Sequence, residues 1–107
     1  MLRRKAKPDS DAPTDSGCTL ISELAPRTAV RIRGQVVRMR ARPARGLPSL
    51  EVVVDDGSGR VIAVWSGRRS IGGVSLGRHL VIEGVAVMTD EGPTFLNPMY
   101  ELRSSGH

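Results

Sequence analysis

Over residues 30–36 apolar and polar positions alternate without a break. Val30, Ile32, Gly34 and Val36 fall on one side, and Arg31, Arg33 and Gln35 on the other. A period of two sends successive side chains to opposite faces of a strand, so this segment predicts a half-buried strand with one wet face. At Val36-Val37 the alternation slips by one residue. Beyond the slip Val37 and Met39 take the apolar side, and Arg38 and Arg40 the polar side. One extra residue close to a glycine is what a β-bulge produces, and a bulge lets a strand curl toward a closed sheet.

The same reading predicts further strands over residues 50–55, 60–66 and 79–87, and a fifth over 94–96 and a few residues beyond. Residues 41–48 hold two prolines and Gly46, and predict a loop. Asp55-Asp56-Gly57-Ser58-Gly59 predicts a hairpin turn, with glycines for the positive-φ positions. Residues 67–77 predict a connection anchored by Ile71, Val74 and Leu76, where Gly72-Gly73 argues against a regular helix. Near the start, Ile21 and Leu24 share one side of a helical turn that Pro26 stops. Five strands with one long connection between the third and fourth predict an all-β, five-stranded Greek-key barrel, which leaves no sheet edge exposed.

Composition narrows this picture. The 107 residues suffice for one domain. Residues 1–17 hold no apolar side chain larger than Ala after Leu2, and predict a disordered tail that is basic at its start and acidic later. The domain is then expected over residues 18–107. No apolar run is long enough to span a membrane, and none follows the basic start as a secretory signal would require, so the default expectation is cytoplasmic. Cys18 is the sole cysteine, and His79 and His107 lie far apart, so neither a disulfide nor a metal site is expected.

Enzymatic constellations are equally scarce. Cys18 has no nearby histidine to activate it. The spacing Gly72-x-x-x-x-Gly77-Arg78-His79 resembles a phosphate-binding loop but lacks its Lys and Ser/Thr. Asp55 and Asp56 sit where a turn needs side-chain acceptors. No catalytic role and no cofactor is expected.

Charge is the stronger signal. The formal net charge is +5, and residues 27–45 carry seven arginines with no carboxylate among them. Guanidinium forks match phosphate oxygens bidentately, which points to nucleic acid. An acidic pair, Asp90 and Glu91, lies in the predicted turn before the fifth strand.

Four phrases then resemble known families. Val30-Arg31-Ile32-Arg33-Gly34-Gln35-Val36-Val37 resembles the first strand of bacterial oligonucleotide/oligosaccharide-binding (OB) folds of the anticodon-binding type. Val54-Asp55-Asp56-Gly57-Ser58-Gly59-Arg60 resembles their second hairpin, and Leu76-Gly77-Arg78-His79-Leu80-Val81-Ile82-Glu83-Gly84 their approach to the fourth strand. Asn97-Pro98-Met99-Tyr100-Glu101-Leu102 is similar to the close of the wedge domain in RecG-type branch-migration helicases. The overall cast resembles small stand-alone OB proteins of actinobacteria.

The resemblance implies an OB-fold barrel that binds nucleic acid on the outer face of strands 1 to 3 and the flanking loops. On this chain that surface would take Arg31, Arg33, Arg38 and Arg40 from strand 1, and Arg42 and Arg45 from the loop after it. Strand 3 would add Arg60 and Trp65, with Arg68 and Arg69 beyond. Both faces of strand 3 are apolar, so the pattern leaves Trp65 open between a base-stacking platform and a core residue. Phe95 and Tyr100 are expected to be structural. The expected function is binding of single-stranded or branched nucleic acid, DNA rather than RNA, with little sequence specificity. The alternative is a protein-interaction module in DNA repair or replication.

Overall fold

The computed structural model describes residues 17–43, 47–68 and 70–103. A 3-10 turn, Ile21–Glu23, precedes six strands: β1 Ala29–Pro43, β2 Pro48–Asp55, β3 Arg60–Ser66, β4 His79–Thr89, β5 Gly92–Leu96 and β6 Met99–Arg103. The strands form one sheet in the order β1-β2-β3-β5-β4-β6, and β4 also pairs with β1. Five strands therefore close into a ring, with β6 outside it. This is the all-β OB barrel. Among the described residues no α-helix occurs.

Closure depends on β1, which is long enough to serve two neighbours. Residues 29–35 pair antiparallel with β4, and residues 35–43 pair with β2. Gln35 stands at the exchange, opposite His79 on one side and Asp55 on the other. The register with β2 shifts between Val36 and Arg38, so the bulge read from the alternation is present one step beyond the exchange. Gly34 explains why the strand can bend there. A Cβ on it would lie 2.6 Å from Val54 Cγ1 and 2.8 Å from the Asp55 carbonyl oxygen, so only glycine lets the two backbones approach.

The barrel interior is filled from alternate positions of every ring strand. Ile32 and Val36 of β1 meet Leu50, Val52 and Val54 of β2, Val61 and Ala63 of β3, Leu80 and Ile82 of β4, and Phe95 of β5. Phe95 is fully buried, as expected. One end is capped by the 3-10 turn. Ile21 is buried there and its N–H donates to Asp56 Oδ2 at 2.8 Å, which ties the turn to the β2–β3 hairpin. Between β3 and β4, Ile71 and Val74 fill the core in place of a helix.

Several expectations change. The first loop is shorter than predicted, since β1 runs to Pro43 and β2 begins at Pro48. Leu76 is not an anchor, being 65% exposed. The residues after the fifth strand form a sixth, paired with β4 from Glu83↔Met99 to His79↔Arg103. β5 and β6 both run antiparallel to β4, separated where Asn97 turns the chain at φ 50°. The expected tail lies, apart from Gly17, outside the described residues.

Candidate functional site

The arginines of β1 do not form one surface. Upstream of Gln35 they stand on the outer wall beside β4 and β6. Arg31 is opposite Glu83, and Arg33 opposite Val81, which in turn faces Glu101 of β6. Arg31 reaches Glu83 at 3.3 Å and Glu101 at 3.5 Å, and Arg103 reaches the other Glu101 oxygen at 3.5 Å. Desolvation alone would lower the Arg31 pKa. The Glu83 carboxylate, the neighbouring Cys18 sulfur and the Glu101 carboxylate outweigh it and hold the guanidinium above its ordinary value. These outward side chains cover Val81, which is buried although it points away from the core. This sector is an ion-paired wall.

Downstream of the bulge the surroundings differ. Arg38, Arg40 and Arg42 point outward from the half of β1 that pairs with β2. Arg38 is opposite Val53, which is opposite Ile62 of β3; Arg40 is opposite Glu51, which is opposite Val64. Arg42 is opposite Ser49 and pairs with Glu51 at 3.4 Å. Among the described residues Arg38 and Arg40 are exposed and carry no ion-pair partner. Alternate residues of a strand lie about 6.6 Å apart. Three guanidinium groups are thus ranked along one edge of the β1–β2–β3 face, at a spacing comparable to that of successive phosphates on an extended strand.

Beyond this rank lies an apolar floor of half-buried Val53, Ile62 and Val64. On its far side the β4–β5 turn brings up Asp90 and Glu91. With Glu51, Ile62, Val64 and Thr94 they enclose a recess of about 310 Å³. Cations on one bank, an apolar floor and carboxylates on the other make a groove with a polarity across it. The acidic turn was legible in the sequence. The place of Glu51 in the same recess was not, because it follows from the β1–β2 and β2–β3 registers.

The other expected site residues scatter. Arg60 donates from Nε to Asp55 Oδ2 at 2.8 Å and so belongs largely to the hairpin. Arg68 is exposed just past β3. Arg45 and Arg69 lie outside the described residues. Trp65 is a correction to the stacking alternative. It points into the barrel, is 6% exposed, donates from Nε1 to the Pro98 carbonyl at 3.0 Å, and meets Tyr100 edge-on at 5.8 Å. Inward-facing Val61 and Ala63 set the parity that puts it there. Tyr100 is partly exposed, with its hydroxyl donating to the Gly72 carbonyl at 3.3 Å.

A larger cleft of about 680 Å³ lies at the other end of the hairpin, lined among others by Leu20, Arg33, Gln35, Asp55, Asp56 and His79. Its carboxylates are committed to the turn. Asp55 is lowered first by its hydrogen bond from Arg60 and then by the Gly57 N–H. At Asp56 desolvation opposes the shift, but N–H groups of Ile21, Ser58 and Gly59 and the Ser58 hydroxyl win and lower it. Both therefore act as turn acceptors. Among the described residues no cluster of His, Cys, Asp and Glu could hold a metal ion, and no helix is long and apolar enough to cross a membrane.

The fold thus defines an OB barrel with a charged, polarised groove. No protein-family model matches the chain, and no curated protein sequence does. A solved structure of RecG bound to a three-way DNA junction is similar, with a TM-score of 0.64 and 16% identity over 78% of this chain. The chain spans 12% of that RecG chain, so the likeness is to one part of a much larger protein.

Proposed function

We propose that this protein binds single-stranded or branched DNA, led by backbone contacts from the outer face of β1 and β2. The observation that carries the reading is the pair Arg38 and Arg40: exposed, free of ion pairs among the described residues, and ranked on one strand beside Arg42. Arg68 extends the positive surface. Arg31 and Arg33 play no part in it, because they stand on the wall shared with β4 and β6. The RecG structure that shares the fold is bound to a DNA junction, which supports nucleic acid as the partner.

Four phosphate contacts on a single strand give a slope of log affinity against log salt of about −3. Fluorescence anisotropy of a labelled oligonucleotide across a salt series measures it. Arg38→Ala with Arg40→Ala should flatten the slope by about 1.4, at roughly 0.7 per phosphate. Binding that ignores salt overturns the proposal.

A second reading, a protein-interaction module in DNA repair or replication, draws on the exposed Val85, Val87, Leu96 and Met99 of the β4–β5–β6 wall. It gains if the double arginine variant leaves oligonucleotide binding unchanged.

A further inference from the structure

We infer that the recess beside the β4–β5 turn selects bases that carry an exocyclic amino group, favouring cytosine over thymine. The inference rests on the DNA-binding reading and adds to its backbone contacts a preference among bases. A strand whose phosphates follow Arg38 and Arg40 has its bases directed across β2 and β3. The rank on β1 and the floor on β3 are two strand spacings apart, about 10 Å, so a nucleotide held at its phosphate by the rank extends its base over Ile62 and Val64. Beyond the floor, the outer bank of the recess is made of the carboxylates of Asp90 and Glu91, while Glu51 lines its near side between Arg40 and Val64.

A carboxylate accepts hydrogen bonds and offers none at neutral pH. Cytosine presents its N4 amino group as a donor, whereas thymine presents the O4 acceptor at the same position. The bank therefore attracts one pyrimidine and repels the other, while ring size and charge stay equal. Glu51 is held in place by Arg42 at 3.4 Å. Among the described residues Asp90 and Glu91 have no ion-pair partner, so their acceptor capacity is open to a ligand. The same carboxylates that look hostile to a phosphate backbone are compatible with a base edge. What they require is that the backbone stay on the arginine side.

The test compares oligo-dC with oligo-dT of equal length, by anisotropy at mildly alkaline pH where cytosine does not self-pair. The expected result is about tenfold tighter binding of oligo-dC. Asp90→Asn with Glu91→Gln should bring the two affinities together, because an amide can both donate and accept. Arg38→Ala with Arg40→Ala should weaken both oligonucleotides and leave their ratio unchanged. Equal affinities for oligo-dC and oligo-dT, or tighter binding of oligo-dT, overturn the base preference while salt-dependent binding to both upholds the DNA reading. Binding to neither oligonucleotide overturns both.

Discussion

At Trp65 the one polar atom of the ring is satisfied inside the barrel, where Nε1 donates to the Pro98 carbonyl at 3.0 Å. Buried aromatics of this kind contribute about 3–5 kcal/mol on truncation to alanine. Trp65→Ala should therefore lower stability by that order in denaturant melts. In the wild type, its fluorescence should resist an aqueous quencher and stay unchanged when an oligonucleotide saturates the protein. A large change in emission on binding would place the ring back on the binding face. Gly34 is decided by space. A methyl group there meets the Asp55 carbonyl oxygen at 2.8 Å, and backbone cannot swing aside as a side chain can. Gly34→Ala should cost about 1–3 kcal/mol, the usual range for overpacking. Two of these outcomes were only half visible in the sequence: the apolar residues on both faces of β3 hid the side Trp65 takes, and Gly34 showed itself only as a bulge neighbour.

β1 shows how one element can carry two roles. Its alternation was legible from Val30 onward, as was the slip at Val36-Val37, because both are local. The exchange of partners at Gln35 was not, because it depends on β2 and β4, which arrive from opposite directions. The consequence is testable by splitting the arginines. Arg31→Ala removes contacts to Glu83 and Glu101, and should leave the affinity for an oligonucleotide and its salt slope as they are. Arg38→Ala with Arg40→Ala should do the reverse, leaving the melting temperature unchanged and weakening binding. The 3-10 turn was similarly half legible. Ile21 and Leu24 signalled it, but its anchor on Asp56 lies 35 residues away. Ile21→Ala should cost about 2–4 kcal/mol, since it leaves a gap at the barrel end.

For the molecule as a whole, Asp55 and Asp56 set the acid limit of the barrel. Both are lowered from the ordinary carboxylate value by the hydrogen bonds of the hairpin. A group whose folded pKa is depressed stabilises the fold fully above its unfolded value, about 3.9 for Asp, and the contribution fades as pH falls through the folded value. Stability measured by urea melts should thus be flat near neutrality and fall below about pH 4. Asp56→Asn should reduce that loss, and should also loosen the 3-10 turn by about 1 kcal/mol, screened as it is by solvent.

The barrel itself followed from sequence alone, because a period of two, a slipped register and glycine-rich turns are local signatures of strands that curl. The inner and outer faces of most strands followed for the same reason. Only the tertiary structure decided which arginines share a surface. Alternation fixes whether a side chain points in or out, but the neighbours it meets outside depend on strands paired across the ring. That pairing put Arg31 and Arg33 against β4 and β6, left Arg38 and Arg40 open beside β2, and set Glu51 across one recess from Asp90 and Glu91.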